Sequence, residues 1–334
     1  MSELRYNLIS RELVIIATER AKRPEDFKKA KKEKIELPEY RADCPFCPKN
    51  EKLSPPETFS ILNGNSWRTR VIPNKFSALS PDASRIRTNK SVYYRKIDGY
   101  GFHEVIIEHP KHNMIIALMS YQDVENIIKT YHARYTDIQN KEGIEAIVIF
   151  KNHGPSAGTS QEHPHSQLIA TPVVPPQIRE RVEQSTRFYD GTGQCMFCVS
   201  LDEELKDDKK RIVTETEHFV SLIPYATLSP FATRVTPKRH MPSFADINEA
   251  EIKDLAINLK DTLAKLYYGL DNPDFNYTIR SIPVHEYGRD YFHWYLSIIP
   301  RISRPAGFEL GSGIFINSSL PEEGAAFLRQ VKIP

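Results

Sequence analysis

Two windows of the chain carry apolar residues at helical spacing. Val124, Ile127, Ile128, Tyr131, Tyr135 and Ile138 follow Ser120, a candidate N-cap, and predict an amphipathic helix. Ile252, Leu255, Ala256, Leu259, Leu263 and Leu266 repeat the pattern, with a cap expected near Asp246. Each helix is followed by extended apolar runs. Ala146-Ile147-Val148-Ile149-Phe150 and a second β-rich segment ending at Pro172 follow the first; Phe275-Asn276-Tyr277-Thr278-Ile279 and a segment ending at Pro300 follow the second. The pattern predicts an α+β fold in which each half is an antiparallel sheet with a helix on one face.

The halves also repeat their chemistry in one order. Cys44-Pro45-Phe46-Cys47, then His112, the first helix and His163 are echoed by Cys195-Met196-Phe197-Cys198, His240, the second helix and His293. His112 and His163 lie 51 residues apart, His240 and His293 53 apart. An internal duplication is expected. The break falls in the proline-rich stretch Pro172, Pro175, Pro176 and the polar run to Gly191 and Gly193, dividing the chain into residues 1–175 and 176–334.

Composition narrows the classes. A chain of 334 residues with 40% apolar content can bury a large core, and a net charge of +2 argues against nucleic-acid binding through overall charge. No apolar run reaches the roughly 18 residues of a membrane span, and the N-terminus lacks the apolar stretch of a signal peptide, so a cytoplasmic protein is expected. The lysine-rich run over 21–35 is read as a solvated arm or exposed helix.

Four cysteines in two Cys-x-x-Cys pairs favour metal over disulfides in a cytosolic chain. Two thiolates and two imidazoles suit tetrahedral zinc, and a closed four-ligand site is structural. The expected sites are Cys44, Cys47, His112 and His163, and Cys195, Cys198, His240 and His293. Each Cys-x-x-Cys is read as a tight turn that the metal ties to the sheet. In the second set His293 stands seven residues before Pro300, the spacing of His165, not His163, before Pro172.

The segment from Phe150 to Gln167 runs from a strand, through a small-residue loop with Asn152, Gly154, Gly158 and Ser160, into His163-Pro164-His165-Ser166-Gln167. In an extended chain residues two apart share a face, so His163, His165 and Gln167 are expected to point one way. With His163 on a metal, His165 is held for attack on phosphorus, a reaction that neutral imidazole performs without a separate base. Gln167 offers amide donors to the non-bridging oxygens, and the loop offers further donors.

These residues resemble the galactose-1-phosphate uridylyltransferase family of the histidine-triad superfamily. The likeness spans nearly the whole chain, including Arg20 to Pro24, the Cys44 turn, Val71-Ile72-Pro73-Asn74, the His112 segment, Asn152 to Gln167, Glu217-His218-Phe219 and Gly307-Phe308-Glu309. It implies a duplicated histidine-triad domain, a nucleotidyl carrier at His165 and a zinc ligand at His163. Phosphate contacts are implied at Asn152, Ser160 and Gln167, and basic groups near the substrate phosphates at Arg20 and Arg23; Asn74, Gly158 and Glu309 fall on the same substrate-binding segments. A homodimer with active sites at the subunit interface, and a place in galactose and carbohydrate metabolism, are also implied. The chain departs from the bacterial pattern at Ser166, where that pattern has glycine, and at Lys75, where it has an acidic residue. It also lacks a glutamine after Glu309 and the non-catalytic iron site. The second Cys-x-x-Cys, Pro172 to Pro176 and Gly307 to Asn317 look closer to an adenylyl-transferring branch, the ADP-glucose phosphorylases.

The expected function is ping-pong transfer through a nucleotidyl-histidine, from a nucleotide sugar to a sugar phosphate or inorganic phosphate. Uridine and adenosine both remain open as the base. A dinucleoside polyphosphate phosphorylase or hydrolase using the same histidine is the alternative, and a zinc-ribbon nucleic-acid binder the remote one; the His163–Gln167 ladder speaks against the latter.

Overall fold

A computed structural model describes residues 2–18, 24–27 and 37–334. The lysines of the 21–35 run, Arg20 and Arg23 lie outside the described residues. The first half contains β1 (Glu3–Tyr6), β2 (Leu13–Ile16), β3 (Phe59–Asn63), β4 (Ser66–Pro73), the hairpin β5 (Arg87–Asn89) and β6 (Arg95–Ile97), β7 (Phe102–Ile107), α1 (Tyr121–Gln139), β8 (Ala146–His153) and β9 (His165–Thr171). The second contains α2 (Pro176–Thr192), α3 (Met196–Lys206), β10 (Ile212–Glu215), β11 (Phe219–Leu222), β12 (Thr233–Pro237), α4 (Glu249–Leu270), β13 (Phe275–Arg280), β14 (Tyr295–Pro300), α5 (Gly307–Ser312), β15 (Phe315–Asn317) and α6 (Pro321–Gln330).

Ten strands form one sheet in the order β10-β11-β12-β14-β13-β8-β9-β7-β4-β3. Five come from each half, in mirrored order, and the halves meet where β8 and β13 pair antiparallel, with Asn152 opposite Asn276 and Phe150 opposite Thr278. The 175/176 division falls at Pro175, the N-cap of α2.

Period-two alternation assigns the faces. Ile147 and Ile149 of β8, Leu168 and Ala170 of β9, Tyr277 and Ile279 of β13, and Leu296 and Ile298 of β14 are buried in one core with α1 and α4, which pack against each other across both halves. His165 and Gln167 alternate with Leu168 and so lie on the opposite face. Burying a large aliphatic side chain is worth about 1.5–3 kcal/mol, so this core holds the register that fixes which residues face the open side.

The start of α1 is as expected: Ser120 accepts the Asp123 N–H at 3.1 Å. Two local expectations are corrected, and one helix was not anticipated. Helix α4 is capped by Asn248, two residues beyond Asp246, in a reciprocal box with Glu251 (3.0 and 2.9 Å). Asp246 instead closes the preceding 3₁₀ turn, Phe244–Asp246. The polar run after Pro176 is helix α2, ended by Gly193 at φ +67°; it buries only Ile178, Val182 and Ser185, a stripe too sparse to stand out among polar neighbours. The second Cys-x-x-Cys is not a loop turn, since Cys195 caps α3 and Cys198 sits in its first turn. Among the described residues no helix is long and apolar enough to cross a membrane.

Candidate active site

The Cys44 turn is organised before any metal is considered. Cys47 N–H reaches the Cys44 carbonyl at 3.3 Å, and the Asn50 side chain donates to the carbonyls of Cys44 (2.8 Å) and Arg41 (3.0 Å). The turn, with Phe46, packs on the open face of the sheet against Val105 and Ile107 of β7. His112 is set by its backbone N–H to Glu39 O at 2.8 Å, and His163 precedes β9. The ligand atoms of Cys44, Cys47, His112 and His163 lie within 4.8 Å of one another, as do those of Cys195, Cys198, His240 and His293.

The spacing tests the fit. Tetrahedral zinc with Zn–S near 2.3 Å and Zn–N near 2.05 Å requires a sulfur–nitrogen separation of about 3.6 Å. The first cluster shows 3.7 Å for Cys44 Sγ to His163 Nδ1, and 3.6 Å from Cys47 Sγ to Nδ1 of both His112 and His163. His163 Nε2–H donates to His109 O at 2.8 Å, which leaves Nδ1 unprotonated to bind a metal. Burial pushes its pKa down to about 3. In the second cluster Cys198 Sγ stands 3.2 and 3.3 Å from Nδ1 of His240 and His293, tighter but with the same donor set. Two Cys₂His₂ groups able to hold metal ions are therefore present. His293 precedes β14 by two residues, as His163 precedes β9, so counting from the strand start removes the ambiguity that counting back from proline created.

His165 opens β9 directly after Pro164, and its ring is largely buried beside Phe46, 5.6 Å between centroids. Its Nδ1 lies 2.9 Å from the carbonyl of His163. A carbonyl only accepts, so Nδ1 carries the proton and Nε2 keeps its lone pair. Burial holds the ring below its ordinary pKa, with Lys151 adding to the effect. His165, His163, His112, Asn152 and Ser160 all line a cleft of about 480 Å³.

Other expected residues sit differently. Gln167 shares the open face, and its Oε1 faces His103 Nε2 at 2.8 Å and Asn74 Nδ2 at 3.4 Å. His103 Nδ1 accepts the Ala78 N–H (3.2 Å), so Nε2–H donates to Gln167 Oε1. Gly158, at φ +86°, ends the short turn Pro155–Ala157 and is exposed. Glu309 does not join the cleft: it accepts the Ala306 N–H at 2.9 Å and lines a separate cavity.

Sequence reasoning missed the supports. Lys151 continues the buried alternation of Ile147 and Ile149 and is sealed against Glu108, with side-chain exposures of 3% and 0%. Its Nζ also donates to the backbone carbonyl of His165 at 3.0 Å. Ser166 donates to Glu108, and the hydroxyls of Tyr131 and Tyr277 join the same network. A lysine inside an apolar strand was the available signal. From the other half, Asn276 donates to Asn152 Oδ1 (2.7 Å) and Ala157 O (2.9 Å), and Asp274 accepts from the backbone N–H and hydroxyl of Ser156. Gly154 is required here: it has φ +82°, and a Cβ would meet the Asp274 carboxylate at 2.4 Å.

Family models described as galactose-1-phosphate uridyl transferase, N-terminal domain and C-terminal domain, match residues 1–175 and 181–297. The chain belongs to the galactose-1-phosphate uridyl transferase family. It is an enzyme of the nucleotidyltransferase class. Its relatives include an ADP-glucose phosphorylase of Arabidopsis thaliana, 36% identical over 99% of this chain and 93% of that one. A galactose-1-phosphate uridylyltransferase of Thermotoga maritima is 28% identical over 100% and 99%. The crystal structure of an ADP-glucose phosphorylase from Arabidopsis thaliana with bound ADP-glucose superposes with a TM-score of 0.84, at 32% identity and full coverage of both chains. In this member of the uridyl transferase family the serine that departs from the bacterial motif turns into the core, where Glu108 and Tyr131 satisfy its hydroxyl, away from the open face that carries His165.

Proposed function

We propose that this chain transfers the adenylyl group of ADP-glucose to phosphate through His165, with zinc held in both Cys₂His₂ groups. The observation that carries the reading is the 2.9 Å contact from His165 Nδ1 to the His163 carbonyl, which leaves the Nε2 lone pair for the cleft. Nε2 attacks the α-phosphorus, an N–P bond forms, and the bridging P–O bond breaks to release glucose 1-phosphate. A phosphate oxygen of the acceptor then attacks the same phosphorus and returns the electron pair to Nε2. Through both steps Nδ1–H stays on the His163 carbonyl and stabilises the cationic ring. Gln167, oriented by His103, donates to the non-bridging oxygens; having no third histidine there withholds a proton carrier and favours transfer over hydrolysis. Asn152 and Ser160, on the cleft wall, are assigned phosphate contacts, and Asn74 a place beside Gln167. Zinc on Cys44, Cys47, His112 and His163 would supply rigidity, tying the Cys44 turn to the residue before β9.

Adenosine is favoured over uridine by the ADP-glucose phosphorylase relative with 36% identity. The family resemblance supports a cytoplasmic homodimer with active sites at the subunit interface, with Arg20 and Arg23 near the substrate phosphates and Glu309 on a substrate-binding segment. Intact-mass spectra after separate incubation with ADP-glucose and UDP-glucose test the proposal, because the added mass names the base. A His165→Ala variant that still turns over at a normal rate would overturn the mechanism; uridylylation alone would replace adenosine by uridine.

A further inference from the structure

The fold offers the position of the nucleophile twice. β14 begins two residues after His293 as β9 begins two after His163, so Tyr295 occupies in the second half the place of His165. Arg280 lies opposite Tyr295 on β13, and Arg234 of β12 lies opposite Ser297. By alternation all three face the open side of the sheet, where Arg181 of α2 joins them around a cavity of about 400 Å³.

Among the described residues these arginines form no ion pair with a carboxylate. Arg280 Nη1 donates to Gln177 Oε1 at 3.2 Å, Arg181 Nη1 to the Gln177 carbonyl at 2.7 Å, and Arg181 Nε is buried without a partner. The Arg234 guanidinium stands 5.0 Å from the Tyr295 ring centre. Desolvation pulls Arg234 below its ordinary pKa; Tyr295 and Glu204 oppose the shift, and Arg181 and Arg280 add to it. The nearby Glu204 is already held by Arg211 at 2.6 Å. Glu12 and Glu309 also line the cavity, yet neither forms an ion pair with the three arginines. Gathering three cations in a half-buried cavity is unfavourable unless an anion completes it, and guanidinium forks match phosphate oxygens. Arg301 and Arg304 also line the cavity and add positive charge.

We infer that this cavity is a second, non-transferring site for a phosphate-bearing small molecule. A phenol hydroxyl stands where an imidazole lone pair would attack, so the site binds and does not transfer. The inference rests on the duplicated fold and the arginines, not on the reading of His165. Free phosphate, a sugar phosphate and a nucleoside diphosphate share the chemistry, and the test separates them.

The full chain is titrated calorimetrically with inorganic phosphate, glucose 1-phosphate and ADP, as wild type, Arg280→Gln and Arg234→Gln. With at least one probe, wild type takes up two equivalents per chain. Arg280→Gln weakens one equivalent at least tenfold and leaves nucleotidyl-enzyme formation at its wild-type rate. The probe whose second equivalent is lost identifies the source. A single equivalent in wild type for every probe, or isotherms unchanged in both variants, overturns the inference. Loss of nucleotidyl-enzyme formation in Arg280→Gln would assign the arginines to the His165 site and overturn it equally. Should Arg234→Gln fail to fold, Arg280, whose strand end is partly exposed, keeps the test decisive.

Discussion

Lys151→Met is the most informative single perturbation of the scaffold behind His165. It removes the cation from an ion pair with Glu108 that is sealed from water, and the donor to the His165 carbonyl. Breaking a buried pair by deleting one partner costs about 3–5 kcal/mol, because the remaining charge stays desolvated. Glu108 keeps donors from Ser166 and Tyr131, so the lower end, near 3 kcal/mol, is expected. At about 1.4 kcal/mol per power of ten, that raises the unfolded fraction more than a hundredfold. Adding Glu108→Gln removes the stranded charge and should restore about 1–3 kcal/mol, a coupling that contacting residues routinely show. Urea unfolding followed by tryptophan fluorescence measures both variants, with Trp67 and Trp294 reporting on the two halves. A loss below about 1 kcal/mol for Lys151→Met, or a double variant as costly as the two singles summed, refutes the reasoning.

Three further outcomes are expected. Metal analysis of the purified chain should find two zinc equivalents, and chelation should lower the thermal midpoint; a metal-free chain of undiminished stability removes the structural role assigned to the clusters. Gly154→Ala forces a Cβ onto Asp274 at positive φ, so it should cost about 1–3 kcal/mol and slow nucleotidylation; a neutral effect on both stability and rate contradicts the fixed loop. Because burial holds His165 below its ordinary value, the neutral nucleophile persists as pH falls. The acid limb of kcat/KM should therefore lie below about pH 6.5, and a limb above that value argues against His165 as the attacking group.

Much of the site was legible from residue order. The paired Cys-x-x-Cys motifs, the histidines at matched spacing and the His163–Gln167 ladder lie close in sequence or recur by duplication, so local chemistry and repetition exposed them. The helical stripe of α1 was equally plain, since six of its eight buried positions are apolar. The stripe of α2 was not: three buried positions among polar residues leave little periodicity to detect.

Amino-acid order thus determined the donor sets, the duplicated α+β plan and the imidazole suited to attack phosphorus. Only the tertiary structure decided which side chains would face each other across strands: Lys151 against Glu108, Asn276 against Asn152, and Tyr295 among Arg181, Arg234 and Arg280. The strand residues among them depend on register, which the shared core under α1 and α4 selects, and a shift of one residue would turn their side chains to the opposite face.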